Sequence, residues 1–189
     1  MLTMLADAMR QYKRPWFVAG GWALDLFVGR QTRTHGDLDI AIWREDQCAL
    51  RKSFEGWSFD KAVKGELCPW LEGEEILHPI HEVHARRGVA TMEFLMNERI
   101  EDAWQYRRNS KVTLALDSFS RRSTDGLPYL APEVVLLYKA KAPRELDQRD
   151  FDLVLPLLDG RGARWLKSVL AICHPGHPWQ TALSSCAGV

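Results

Sequence analysis

Residues 16–25, Trp-Phe-Val-Ala-Gly-Gly-Trp-Ala-Leu-Asp, and residues 33–42, Arg-Thr-His-Gly-Asp-Leu-Asp-Ile-Ala-Ile, decide how this chain folds. The first runs from an apolar strand through two glycines into an apolar helix. The second sets Asp37 and Asp39 at the head of another apolar strand. Side chains two apart in a strand share a face. The two carboxylates are therefore expected side by side, each raising the other's pKa in a partly desolvated place. A divalent cation removes that conflict. Magnesium in particular is held by one or two carboxylates, with substrate phosphates and water completing its shell.

The glycines fit the same chemistry. Gly20 and Gly21, at a strand-to-helix junction, let backbone N–H groups and a helix N-terminus come close to an anion. Glu93, alone among apolar neighbours in Ala-Thr-Met-Glu-Phe-Leu-Met, is the expected third acid, either ligating metal or accepting a proton. Glu82, on a neighbouring expected strand, is its understudy. Gly-Gly, Asp-x-Asp or a strand Glu taken singly is as well explained by a turn, a cap or a solvent-facing edge. Their order within a strand–helix–strand context is what points to nucleoside triphosphate chemistry.

The 189 residues suit one globular core with a helical appendage. Hydrophobic residues make up 46%, enough for a sizeable core. Twenty-five Lys and Arg balance 25 Asp and Glu, so there is no bulk attraction for nucleic acid. Cys48, Cys68, Cys173 and Cys186 have no CxxC spacing and read as thiols of a reducing compartment. The first 16 residues read as an amphipathic helix instead of a signal peptide, and no apolar run reaches membrane-spanning length. A cytoplasmic protein is expected.

The pattern predicts helices near 2–12, 21–28 and 45–54, and strands at 17–19, 39–43, 57–64, 80–86 and 90–96. The acidic stretch 65–79 reads as irregular, and one or two weaker strands follow Lys111. From Pro132 onward the periodicity is helical. The fold class is thus mixed α/β, with a core over residues 1–128 and a helical region over 129–189. Val134, Leu137, Tyr138 and Lys141 are expected on one helix face. Lys139 or Lys141 would contact a triphosphate with Asp147 and Asp150 holding the lysines, unless the cluster is simply a salt-bridged helix pair. His78, His81 and His84 recur every third residue but lack the i, i+4 pairing of a zinc helix, and on a strand His81 and His84 face opposite ways. Zinc is not assigned.

The stretch from Trp16 to Ile42, including Arg33 and His35, resembles the signature of the nucleotidyltransferase superfamily with its polymerase-beta-like fold. More narrowly it resembles the aminoglycoside and lincosamide nucleotidyltransferases. The resemblance implies a mixed-sheet core. Gly20 and Gly21 would lie at the triphosphate, Asp37, Asp39 and Glu93 would bind magnesium (two ions), and Asp39 and Glu93 would be catalytic. Arg33 would assist the phosphates unless it pairs with a local acid, and His35 would orient the loop. The implied activity is transfer of a nucleoside monophosphate from an NTP such as ATP to an acceptor hydroxyl, on a small molecule such as an aminoglycoside. The acidic residues Glu66, Glu72, Glu74 and Glu75 would attract a cationic acceptor. The alternatives are a toxin-like enzyme acting on RNA or protein, and a non-catalytic nucleotide-binding protein. An acceptor site shared across a homodimer is left open.

Overall fold

The computed structural model describes residues 2–186, without the side chains of Thr3, Met4, Ser185 and Cys186, so the expectation for the Cys186 thiol lies outside the described residues. Among these, ten strands join in one mixed sheet. Helix α1 (Leu2–Met9) leads into β1 (Trp16–Val18), α2 (Gly20–Val28) and β2 (Asp39–Trp43). Next come α3 (Gln47–Ser53), β3 (Ser58–Val63), β4 (Glu66–Pro69), β5 (Glu82–Arg87) and β6 (Ala90–Ile100). Then β7 (Ala103–Gln105), β8 (Thr113–Ala115), α4 (Leu116–Phe119), β9 (Ser120–Arg122) and β10 (Pro128–Leu130) complete the sheet. Helices α5 (Pro132–Lys139), α6 (Glu145–Val154), α7 (Gly160–Cys173) and α8 (Trp179–Cys186) follow. None of the described helices is long and apolar enough to cross a membrane.

The main sheet runs β4-β3-β5-β6-β2-β1-β10-β9, with β7 and β8 branching from the far end of β6. β2 lies parallel to β6, and β5 antiparallel to it. Alternation gives β2 one wholly apolar side: Ile40 and Ile42 are buried, as are their register partners Phe94 and Met96. Phe54, just past α3, meets Phe94 edge to face on that side, with ring centroids 5.6 Å apart. Phe17 and Trp43, on the opposite side, build an aromatic cluster with Phe119, and Trp104 stacks on Phe119 at 5.5 Å. Trp104 also touches Tyr138 of α5, which brings the helical region over the face that carries Asp39.

Several expectations shift. The stretch 65–79 is not wholly irregular. Lys64 and Gly65, both with positive φ, turn β3 back into β4 as a two-residue hairpin. The remainder is held by a buried arginine. Arg44 donates from Nη1 to the carbonyls of Ile76 (2.9 Å) and Ile80 (2.7 Å), and from Nε to Glu98 (2.5 Å). Gln47 exchanges side-chain hydrogen bonds with the Ile76 backbone. The sheet does not end at residue 128, since β10 pairs in parallel with β1 through Val18 and Tyr129. The β5–β6 turn is made by Gly88 and Val89, Arg87 still being paired with Ala90.

Candidate active site

Register assembles the acids. Asp39 of β2 lies opposite Glu93 of β6, and Glu93 lies opposite His84 of β5. Directly opposed residues point to one face, so Asp39, Glu93 and His84 form a row across three strands, with Glu82 two residues along from His84. Asp37 departs from its expected place: β2 begins at Asp39, so Asp37 sits exposed in the loop before the strand. Its charge still acts on Asp39. That loop is fixed where it enters β2, because the Glu93 amide donates to the Leu38 carbonyl (3.1 Å) and the Ala19 amide to the Asp39 carbonyl (2.9 Å).

The carboxylates crowd one another. Burial first, then the charge of Asp37, pushes Asp39 up to about 6, against the opposing pull of Lys139. Burial and then Asp39 push Glu93 up to about 7, against the pull of His84. Partly buried acids raised in this way are the donor chemistry of a divalent-cation site; Asp39 and Glu93 fit magnesium on that ground, and the exposed Asp37 offers a further carboxylate in the loop before Asp39. They do not themselves converge to within 4.8 Å as a trio. Among the described residues the trio that does is Glu82, His84 and Glu93.

The two glycines have a nearer reason than an anion. Gly20 adopts φ +57°, and a Cβ there would lie 1.9 Å from Asp39 Oδ2. A Cβ on Gly21 would fall 2.4 Å from His35 Nδ1 and 2.6 Å from an Arg33 nitrogen. The pair thus leaves room for the chain's own Asp39, His35 and Arg33, and the start of α2 stays close to the carboxylates.

Behind that loop runs a polar chain largely invisible to motif reading. Asp25, buried on α2, accepts from the Thr32 amide (3.1 Å) and hydroxyl (2.5 Å), and its Oδ2 lies 2.5 Å from His35 Nε2. The His35 ring packs on Trp22, with centroids 4.6 Å apart. His35 therefore orients the loop, as its place in the motif implies. The signal for Asp25 was available: a lone acid among the apolar residues of a helix, as Glu93 is in its strand.

Arg33 takes the local-acid alternative. Its Nε and Nη2 donate to the two oxygens of Asp150 at 3.3 and 3.2 Å. Lys139 lies between two buried acids, 2.6 Å from Asp147 and 3.0 Å from Asp150. Burial raises Asp147, but hydrogen bonds from Arg144 and Lys139 outweigh it and hold the carboxyl well below the usual range. Lys139 is thus salt-bridged, as the helix-pair reading has it, and it also lines the cleft beside Asp39. Lys141 is not on the face of α5 with Val134 and Leu137, because the helix ends at Lys139. It is exposed at the cleft instead.

That cleft has a volume of about 550 Å³. Ala19 and Gly20 at the start of α2, Asp39 and Glu82 form one side. Arg107, Arg108, Lys139, Lys141 and Arg144 also line it, among apolar residues such as Leu95, Leu130 and Val135. Arg107 and Arg108 each stack on the Tyr138 ring at 5.3 Å, and Arg108 also donates to the Tyr138 carbonyl (3.0 Å). Sequence reasoning missed both arginines, since two Arg after a Tyr carry no motif until the fold sets them across from Asp39. Glu66, Glu72, Glu74 and Glu75 are not among the residues lining this cleft, and Glu74 is paired with Lys61.

The first 76 residues match a protein-family model described as aminoglycoside-2''-adenylyltransferase. No curated protein matches the sequence. Among solved structures, a solution structure of the antibiotic-resistance factor ANT(2'')-Ia is 16% identical with a TM-score of 0.60, covering 90% of this chain and 89% of that one. A crystal structure of ANT(2'')-Ia in complex with adenylyl-2''-tobramycin is 15% identical with a TM-score of 0.63, over 90% and 95% of the two chains. Lincomycin-bound LnuA, a lincosamide antibiotic adenylyltransferase, is 17% identical with a TM-score of 0.59, over 83% of this chain and 96% of its own. The chain has the nucleotidyltransferase fold these structures share. Its resemblance to the aminoglycoside and lincosamide nucleotidyltransferases, read from residues 16–42, falls inside the stretch that matches the family model.

Proposed function

We propose that this protein is a magnesium-dependent nucleotidyltransferase that moves a nucleoside monophosphate from an NTP to a hydroxyl of a small-molecule acceptor of the aminoglycoside kind. One observation carries the reading: Asp39, whose register partner on the adjacent parallel strand is Glu93, lines a cleft that Arg107, Arg108, Lys139, Lys141 and Arg144 also line. Acids and bases so placed suit a polyanion bound through a cation on one side and through Lys and Arg on the other. The opening of α2, with Gly20 at the cleft, adds first-turn N–H groups that have no intrahelical acceptor and the positive end of a helix dipole.

Each residue then has a task. Asp37, Asp39 and Glu93 hold magnesium, two ions in this reading, and the cation supplies charge neutralisation for the phosphates. Lys139, Lys141, Arg107, Arg108 and Arg144 line the route of the triphosphate and its leaving pyrophosphate. The acceptor oxygen forms a bond to the α-phosphorus as the bond from that phosphorus to the bridging oxygen of pyrophosphate breaks. Glu93, held in the upper carboxylate range, is the group placed to take the hydroxyl proton. Asp25, His35, Arg33 and Asp150 position the loop that presents Asp37 and Asp39. Glu82, at the cleft, is the acid placed to meet a cationic acceptor, in place of the four glutamates of residues 66–75. The family match over residues 1–76 supports an adenylyl donor and an aminoglycoside acceptor.

Calorimetry with each NTP, with and without magnesium, on the wild type and on Asp37→Asn/Asp39→Asn tests this reading. Magnesium-dependent binding lost in the double variant is expected. A panel of aminoglycosides and lincosamides then follows, with labelled nucleotide appearing on the acceptor. Label appearing on RNA or protein instead would replace the small-molecule acceptor. Absence of NTP binding to the wild type, with or without the panel, would refute the assignment.

A further inference from the structure

Glu82, His84 and Glu93 share one face of the β5–β6 pair, and a donor atom of each lies within 4.8 Å of the other two. His84 stands between the acids. Its Nε2 is 2.7 Å from Glu82 Oε1, and its Nδ1 is 3.5 Å from Glu93 Oε1. The backbone under them is well supported, since β3 flanks β5 on one side and β2 flanks β6 on the other. All three side chains are partly exposed, between 21% and 33%, so a ligand reaches them without the fold opening.

The donor set is not that of a magnesium site. Two carboxylates and a neutral imidazole carry two negative charges, matching a divalent ion. An imidazole nitrogen selects zinc, cobalt or nickel over magnesium, which takes oxygen ligands. Metal–ligand lengths near 2.1 Å place tetrahedral donors roughly 3.4 Å apart; the 2.7 and 3.5 Å contacts use different nitrogens of His84, only one of which would ligate, and one donor atom from each of the three residues lies within 4.8 Å of the other two. Side-chain rotation alone exchanges these direct contacts for a shared ion.

We propose that Glu82, His84 and Glu93 form a transition-metal site with three protein ligands and an open fourth position, separate in its nitrogen donor from the Asp37–Asp39 pair but sharing Glu93 with it. Binding there stands on the geometry alone. Its consequence, that zinc withholds Glu93 from nucleotidyl transfer and so inhibits it, rests on the proposed function.

The test uses Asp37→Asn/Asp39→Asn protein, in which the aspartate pair no longer competes for metal. Co²⁺ serves as the spectroscopic probe and Zn²⁺ is titrated by calorimetry. One Co²⁺ per chain is expected, with the visible absorption of a nitrogen-ligated, low-coordinate ion, displaced by Zn²⁺ and not by excess Mg²⁺. Adding His84→Ala or Glu82→Gln should weaken binding by at least the roughly tenfold that loss of even an outer partner costs. Glu82→Gln preserves shape, so the second arm stands if His84→Ala does not fold. No Co²⁺ bound by the double variant, or binding unchanged by Glu82→Gln or by a folded His84→Ala, overturns the proposal. Loss of the NTP reading would show separately, as absent NTP binding by the wild type, and would leave this result untouched.

Discussion

Replacing Gly20 with alanine separates two costs that the structure keeps distinct. The backbone cost is that of an L-residue at φ +57°, about 1–2 kcal/mol. The contact cost is local to the site: the new Cβ would lie 1.9 Å from Asp39 Oδ2 and 3.0 Å from its Cγ. Ordinary contact begins at 3.4 Å, so the carboxylate oxygen must retreat by about 1.5 Å, the difference 3.4 − 1.9. Misplacement of a reacting group by about 1 Å costs on the order of 10²-fold in rate. Gly29→Ala is the control, since Gly29 has φ +82° and nothing within 4 Å of its would-be Cβ. Thermal melts should show both variants destabilised by similar amounts, roughly 2–8 °C. Magnesium-dependent NTP binding and nucleotidyl transfer should fall by about 10²-fold or more in Gly20→Ala and stay near wild type in Gly29→Ala. Equal activity in the two variants would refute the claim that Gly20 exists to make room for Asp39.

Three further outcomes are expected. Lys139→Met removes the cation shared by Asp147 and Asp150 but leaves each its arginine, Arg144 and Arg33, and should destabilise the fold by about 1.5–3 kcal/mol, read by urea unfolding; a loss under about 1 kcal/mol would show that the cluster is solvated. Asp39 and Glu93 have raised folded-state pKa values, about 6 and about 7, so between the unfolded values near 4 and these the folded chain binds more protons than the unfolded one. Without divalent cation, their contribution to stability is therefore present at low pH and lost as pH rises through 6 and 7. Asp39→Asn should flatten that loss, magnesium should offset it at pH 7.5, and magnesium affinity should weaken as pH falls through the same window; melts across pH 5–8 with a slope unchanged by Asp39→Asn would contradict this. Arg44→Met leaves the Ile80 carbonyl without this donor and the Ile76 carbonyl with Gln47 alone, and amide exchange should speed up across residues 71–81 before it changes elsewhere in the sheet.

Local pattern revealed much of the core because the site is built from short-range rules. Glycine at a strand–helix junction, alternation in Asp39–Trp43 and one acid in an apolar strand each carry a signal within a few residues. The strand at 39–43 and the helix ending at Gly29, whose left-handed φ of +82° closes α2, are legible for that reason. What alternation cannot give is partner and register. That Glu93 faces Asp39 on one side and His84 on the other is a property of three strands that each read alike alone. The hairpin into β4 was hidden because Glu66 and Cys68 break the expected pattern while Lys64 and Gly65 supply the turn. The basic lining was hidden more deeply. Arg107 and Arg108 gain meaning only from Tyr138 and the fold that sets them opposite the acids. Arg33 looked equally suited to a phosphate or an acid, and only its distance to Asp150, 117 residues away, decides for the acid.

That separation has a consequence during synthesis. Arg33 abuts Gly21 in the loop that presents the two aspartates, and the acid that grips it is 117 residues downstream. At about 5–20 residues per second, the ribosome takes roughly 6–23 s to deliver Asp150 after Arg33 has emerged. β1 waits almost as long, for its parallel neighbour is β10. The nascent chain therefore carries its most recognisable motif early and unsecured, with one edge of β1 uncovered and a guanidinium lacking its acid. A chaperone that shelters nascent strands would act on this interval, and slow codons read before α6 has emerged would lengthen it.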